Sequence, residues 1–320
     1  MTDIAKWNRL DPKTFARQYK DHLSDFHTWD QKEHADEWLL FEDNVGERLG
    51  VDETSISNGE LYTILTNKAG KGGKGSLVAM VEGTKADDIS SVFNKIPLSR
   101  RLEVKEVTLD FSPSMEKAVR ASFPNARLTT DRFHVQQLVC EALQEIRISL
   151  RWRAIQEENE GVKQAKLKGE RYIQQVYTNG DTKKQLLARS RYLLFKSQSK
   201  WIIRQQERVA VLFELFPEIK HAYNLTMNFR NIYETSTTRE QAHTGFTDWF
   251  QKVEREHLDS FTTVAHYLHD HIDTILNYFP DRSTNASAES FNAKLKGFRA
   301  LLRGVCDKKF FLFRVAKIYG

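Results

Sequence analysis

The 320-residue chain is 40% hydrophobic and 28% charged, enough apolar material for one large or two ordinary domains and too much for a disordered polymer. Its 15 Gly and 6 Pro exclude fibrous and linker-dominated architectures, and no run of about 18 apolar residues is present to span a membrane. The net charge of +5 is unevenly placed: residues 1–60 carry 7 bases and 14 acids, whereas residues 147–208 carry 15 bases and 6 acids, and residues 282–320 carry 9 and 2. Two basic blocks on one chain suggest a polyanionic partner, although either block alone is equally well read as a solvated helical surface. The polar amino terminus is unlike a secretory signal. Cys140 and Cys306, far apart and outside any CxxC pair, fit a reducing cytoplasm rather than a disulfide framework or a cysteine zinc site.

In chain order, residues 12–47 read as helical. Phe15, Tyr19, His22, Leu23 and Phe26 recur at spacings of three and four, and Trp38, Leu39, Leu40 and Phe41 follow. The texture then turns to strand. Leu49-Gly-Val-Asp-Glu-Thr, Leu61-Tyr-Thr-Ile-Leu-Thr and Ser76-Leu-Val-Ala-Met-Val-Glu-Gly predict an antiparallel meander. Gly70-Lys-Gly-Gly-Lys-Gly lacks the Lys-Ser/Thr ending of a phosphate-binding loop and precedes a strand, so it reads as a hairpin connection. A helix near 86–95, a strand ending at Asp110, a helix from Pro113 to Phe123 and a strand ending at Asp131 complete the order β-β-β-α-β-α-β-α. This order predicts an α/β fold, a mixed sheet covered by helices.

From about 133 to 280 only helical texture follows. One long helix runs through Leu138 to Ser149, Asn179-Gly-Asp-Thr breaks the pattern, and a basic amphipathic helix spans Leu186 to Val211. Pro217 starts another helix, and two more run at about 240–257 and 259–278. His266, His269 and His271 lack an acid-flanked HExxH and read as helix surface. Asp281-Arg-Ser-Thr-Asn opens a helix carrying Glu289, and Phe310 to Tyr319 is the last helix. The expected organisation is a helical acidic segment (1–47), a first part of the sheet domain (48–135), an all-helical insertion (136–281) and carboxy-terminal helices that complete the core (282–320).

Three acids stand out by position: Asp52 in the first strand, Asp110 at the end of the fourth, and Glu289 in the first turns of its helix. Singly, each reads as a cap or a solvated side chain, and Glu53 rivals Asp52 as a ligand. As a set, they suit Mg²⁺, a hard cation that takes carboxylate oxygens and keeps several waters. Two ions about 4 Å apart serve phosphodiester chemistry by assisting both the attacking and the leaving oxygen. Asp131-Arg-Phe-His134 is either an ordinary strand-to-helix junction with an Asp cap or a second part of the same cluster.

Val51-Asp-Glu-Thr, Val107-Thr-Leu-Asp, Thr130-Asp-Arg-Phe-His-Val and Asn285-Ala-Ser-Ala-Glu-Ser-Phe-Asn-Ala-Lys-Leu-Lys resemble the ISL-type bacterial insertion-sequence transposases, ISAon-like members in particular, from about residue 30 onward. The resemblance implies an RNase H-like mixed sheet with a large all-α insertion between the fifth strand and the helix of the third acid. It makes Asp52, Asp110 and Glu289 the metal-binding catalytic triad for two Mg²⁺ ions, with Mn²⁺ as a substitute. Glu53, Asp131, His134 and Asn292 would support them. It implies metal-dependent DNA cleavage and strand transfer at insertion-sequence ends, in the bacterial cytoplasm, by a homo-oligomer on double-stranded DNA. Lys183, Lys184, Arg189, Arg191, Lys294, Lys296, Arg299 and Arg303 are the expected DNA contacts. The acidic, cysteine-free stretch before the first strand is unsuited to gripping phosphates, so recognition of the ends is expected from a separate polypeptide or an upstream segment. A hydrolytic nuclease and a non-catalytic DNA-binding remnant are the rival readings.

Overall fold

The computed structural model describes every residue except Met1, Ser57, Asn58 and Arg303, and it divides into two compact units: residues 1–131 with 283–320, and residues 132–282. In chain order the first unit comprises α1 (Thr2–Trp7), α2 (Pro12–Gln18), β1 (Trp38–Leu40), β2 (Arg48–Ser55), β3 (Leu61–Asn67), β4 (Leu77–Glu82), α3 (Ala86–Phe93), α4 (Leu98–Glu103), β5 (Glu106–Leu109), α5 (Pro113–Ser122) and β6 (Arg127–Thr130). The second unit runs through α6 (Arg132–Leu167), α7 (Lys183–Arg189), α8 (Ile203–Leu215), α9 (Pro217–Thr235), α10 (Arg239–Glu256), α11 (Asp259–Asp270), α12 (Ile272–Leu276) and α13 (Tyr278–Asp281). The chain then returns to the first unit as α14 (Ala286–Leu301) and α15 (Lys308–Tyr319).

Among the described residues the strands form one mixed sheet in the order β1-β4-β3-β2-β5-β6, antiparallel from β1 to β2 and parallel from β2 to β6. Both faces are covered, which is why the strands read as nearly continuous apolar runs. On one face Leu49, Val51, Val107 and Leu109 pack with Ile89, Val92 and Phe93 of α3 and Met115 and Val119 of α5. On the other, Tyr62, Ile64, Leu77 and Met80 pack with Phe291 and Leu295 of α14 and Phe311, Leu312 and Val315 of α15. Each such fully buried side chain contributes roughly 1.5–3 kcal/mol. Ser112 caps α5 by accepting from the Met115 amide, and Pro113 occupies its first turn, where no amide hydrogen is needed. This α/β architecture is consistent with the RNase H-like fold.

Several segments depart from the sequence reading. Of residues 12–47 helix is confined to 12–23, followed by short 3-10 turns at Phe26–Thr28 and Glu42–Asn44 and by turns at 30–37, and the stretch read as one helix at 259–278 is α11, α12 and α13. Trp38–Leu40 is an edge strand on β4, not helix: Leu39 is buried opposite Met80, and the backbone finds its partners across the sheet. The strand before the all-helical stretch is therefore the sixth rather than the fifth. The stretch Leu186 to Val211 is two helices, because the chain between them turns to bury Leu193, Leu194 and Trp201, whose indole donates to the Leu193 carbonyl at 3.0 Å. Leu98–Glu103 is a further helix. The loop at Gly70 is the β3–β4 connection, as read, with Lys71 and Gly72 at positive φ. Gly72 also passes so close to Ser290 and Phe291 that a β-carbon would meet them at 3.1–3.2 Å.

The acidic amino-terminal segment has a structural partner in basic α15. Lys317 pairs with Asp25, Lys309 with Asp36 at 3.2 Å, and Phe26 and Trp29 pack edge-on against Phe313. The second unit is built around buried aromatic residues in mutual contact, edge-on, tilted or stacked: Phe229, Tyr233, Phe246, Trp249 and Phe279. His266 and His269 are exposed on α11, and His271 bonds the Tyr267 carbonyl at 2.8 Å.

Candidate active site

The parallel register places three acids in one row. Gly50 lies opposite Thr108, so two residues on Asp52 falls level with Asp110; Leu109 lies opposite Thr130, so Asp110 falls level with Asp131. Side chains alternate across a strand. Since Val51, Leu109 and Leu128 belong to the core under α3 and α5, the three carboxylates are on the α14 side, Asp110 and Asp131 just past the carboxyl ends of β5 and β6 and Asp52 within β2. β5 lies between β2 and β6, so Asp110 is the central member. Carboxylate oxygens of Asp110 and Asp131 lie within 4.8 Å of one another.

Helix α14 is fastened over this row by two asparagines. The Asn285 backbone amide donates to Asp131 Oδ1 at 2.9 Å, and Asn285 Nδ2 donates to the Val51 carbonyl at 2.9 Å. One helical turn beyond Glu289, Asn292 Nδ2 donates to Asp52 Oδ2 at 2.6 Å and to the Glu53 carbonyl at 3.2 Å. Glu289 thus sits four residues after one anchor and three before the other, on an exposed part of the helix. The close approach requires Gly50: a β-carbon there would lie 2.5 Å from Asn285 Oδ1. Asp52 is held by both oxygens, since its Oδ1 accepts from the Glu53 amide at 2.7 Å.

Asp131 is buried and caps the start of α14, a role visible only once the chain returns 154 residues later. Asn285 opens the motif around Glu289 but carried no role in the sequence reading, since a place before a helix is common to any N-cap. His134 is half-buried on the first turn of α6, and chain length alone keeps its backbone within about 10 Å of Asp131.

Glu53 is half-buried, and burial, reinforced by the Asp110 charge, pushes its carboxyl above the ordinary 4.5. A raised carboxyl costs stability once ionised. The cost is absent below the unfolded pKa, grows as pH rises from there toward the folded one, and is full above it. Glu53→Gln is therefore expected to raise the metal-free melting temperature at neutral pH by on the order of 1–3 °C and to leave it unchanged near about pH 4, measured by calorimetry.

A divalent cation fits this donor set: hard carboxylate oxygens on parallel strand ends, with like charge crowded enough to displace a neighbour's pKa.

The expected DNA contacts are scattered and mostly engaged. Lys183 pairs with Glu157 and Lys184 with Glu158, each at 2.6 Å, and Arg189 pairs with buried Asp181. Arg191 lies over the Tyr192 ring. Lys294 donates to the Gly72 carbonyl at 2.7 Å and Arg299 to the Ile56 carbonyl at 2.8 Å. Lys296 is exposed on α14, and Arg303 lies outside the described residues.

Residues 49–315 match the family model of the ISL3 DDE transposases, described as "Transposase". The transposase for insertion sequence element IS1001 of Bordetella parapertussis is 20% identical over 273 residues, covering 84% of this chain. The chain spans about 60% of that relative's length. With the match covering most of the sheet unit and all of the helical one, the chain belongs to the ISL3 family of DDE transposases.

Proposed function

We propose that this chain cuts and joins DNA strands at insertion-sequence ends, with Asp52, Asp110 and Glu289 as the ligands of two Mg²⁺ ions. The observation that carries this reading is the level row of carboxylates on adjacent parallel strands under a helix anchored on both sides of Glu289. When bound, the ions would supply Lewis acidity toward the scissile phosphate, and Mn²⁺ would substitute. The Glu53 amide and Asn292 fix the direction of the Asp52 carboxylate. Asp131 acts through α14 by holding its first turn, and His134 contacts the scissile phosphate or stiffens the strand-to-helix junction.

In this reading residues 48–135 and 282–320 form the catalytic core, 136–281 the insertion, and 1–47 an acidic segment that leaves recognition of the ends to another polypeptide. The chain works as a homo-oligomer on DNA in the bacterial cytoplasm. The test is cleavage and strand transfer on a labelled duplex carrying the ends, with Mg²⁺ and with chelator. Metal-dependent nicking without joining would instead make the protein a hydrolytic nuclease, and binding without nicking a non-catalytic remnant.

The Asn292 anchor gives a second expectation. Asn292→Ala removes a donor from Asp52 and should lower cleavage by about 10–100-fold, as for other groups that orient metal ligands. The midpoint of a Mn²⁺ titration should rise with it while the melting temperature stays within a few degrees. An unchanged midpoint would confine Asn292 to packing.

A further inference from the structure

The helix α6 is 36 residues long, but its last buried residue is Ala154. From residue 155 to 180 no side chain is buried. The distal 13 residues of the helix, about 20 Å of it, project with a returning strap to form an arm. The strap is fixed to the helix at two places. Tyr172 packs on Gly161, where a β-carbon would lie 2.6 Å from the ring, and Lys183 and Lys184 pair with Glu157 and Glu158 at the arm's base.

Lys163, Lys166, Lys168 and Arg171 are all exposed near the turn of this arm, and among the described residues none has an acidic partner. This separates them from Lys183, Lys184 and Arg189, whose charge is already met by carboxylates. A lysine that must leave a carboxylate to reach a phosphate gains little, whereas one that sheds only water and counterions gains the full release entropy. An arm held by Tyr172 on Gly161 and by the ion pairs at its base has no structural need for four cations within nine residues.

We infer that the arm at residues 161–171 is a DNA backbone clamp, with Lys163, Lys166, Lys168 and Arg171 on phosphates, and that Lys183 and Lys184 staple the arm instead of touching DNA. This rests on the reading of DNA as the partner given above. The proposed contacts are electrostatic and made to phosphates, which position the protein without reading sequence.

The test is a salt titration of binding to a fluorescent random-sequence duplex by the full chain and by the combined variant Lys163→Ala, Lys166→Ala, Lys168→Ala and Arg171→Ala. The log–log slope should become shallower by about 3–4, since each phosphate left unneutralised removes about 0.9, and affinity at about 0.1 M salt should fall at least about tenfold. Arginine at the three lysine positions should keep the slope, which a merely structural role would not predict. Glu157→Gln with Lys183→Gln, neutral overall, should leave it unchanged. An unchanged slope in the combined variant, with wild-type binding intact, overturns the clamp. So does a change in sedimentation of the free protein without a change in slope, which would give the arm to a second copy of the chain. A slope reduced on neutralising the Glu157–Lys183 pair overturns the staple. Absence of salt-dependent binding by the wild type removes the clamp together with the DNA reading, whereas metal-dependent cleavage with an unchanged slope removes the clamp alone.

Discussion

Replacing Asp52 or Asp110 by Asn, or Glu289 by Gln, one at a time, is expected to lower strand cleavage by at least about 10³-fold, the loss that follows from several kcal/mol of missing transition-state charge stabilisation. The amides are isosteric, so the fold should persist and the dissociation constant for DNA should change by less than about threefold, because phosphate contacts elsewhere carry affinity. Asp110→Asn carries an extra signature. Asp110 stands between the other two strand-end acids and adds to the raised pKa of Glu53, so its neutralisation should stabilise the metal-free protein while abolishing activity. Single-turnover cleavage of an end duplex, with binding measured in parallel, reads both effects. Asp88→Asn, exposed on α3, is the comparison outside the site. If Glu289→Gln retained more than about a tenth of the rate, the triad would be wrong, and Asp131, whose carboxylate lies within 4.8 Å of that of Asp110, would be the next residue to test.

Glu106→Ala is expected to destabilise the protein by about 3–5 kcal/mol, the cost of breaking a buried pair and leaving one charge behind. Glu106 is 2% exposed at the start of β5 and accepts from Lys68 at 3.0 Å, from Arg127 at 3.0 Å and from the Ser283 hydroxyl. Lys68 also donates to Ser283 at 2.6 Å and to Thr108. Burial alone would raise the Glu106 carboxyl, but the Ser283 hydrogen bond and the Lys68 and Arg127 partners hold it below the ordinary value. Burial moves Lys68 downward as well, while three donors converging on Glu106 keep its carboxyl below the ordinary value.

A carboxyl with a depressed folded pKa contributes stability that is present above its unfolded pKa, near 4.5, and lost as pH falls through the folded value. The destabilisation should therefore be full at neutral pH and shrink in acid. Thermal melts across pH check it, with Glu106→Gln combined with Lys68→Met expected to recover part of the loss because the buried Lys68 charge is no longer stranded, while Arg127 keeps access to solvent. Ser283 is the first residue of the returning chain and stands two before Asn285. Loosening it should also lower cleavage, by slackening the start of α14. A melting temperature within about 2 °C of wild type would show the network to be hydrated and dispensable.

The site was partly legible in the residues themselves. Strand-end acids announce themselves because an apolar run of β-formers stops at a charge, as at Val107-Thr-Leu-Asp110 and Arg127 to Asp131. The meander and the αβ units followed from local signals: short apolar runs of β-formers and Pro113 in a first helical turn. Trp38–Leu40 was misread because three residues carry no period, and only the exposed edge of β4 makes them a strand. The break between α7 and α8 was missed because Leu193, Leu194 and Trp201 look equally apolar on a helix or in a buried turn.

What the sequence by itself determined was the chemistry available: hard oxygen donors at the ends of β-forming runs, a glutamate in a helix start, two basic blocks and an acidic opening. What only the tertiary structure decided was which of these groups meet. Asp131 became the cap of α14, Asn285 and Asn292 became the anchors around Glu289, and the lysines at 183 and 184 were matched to glutamates 26 residues upstream. Composition and spacing report what a side chain can do within a few residues of itself. A hydrogen bond or ion pair across 154 or 240 residues depends on sheet register and on the path of a returning chain, and no local period encodes either.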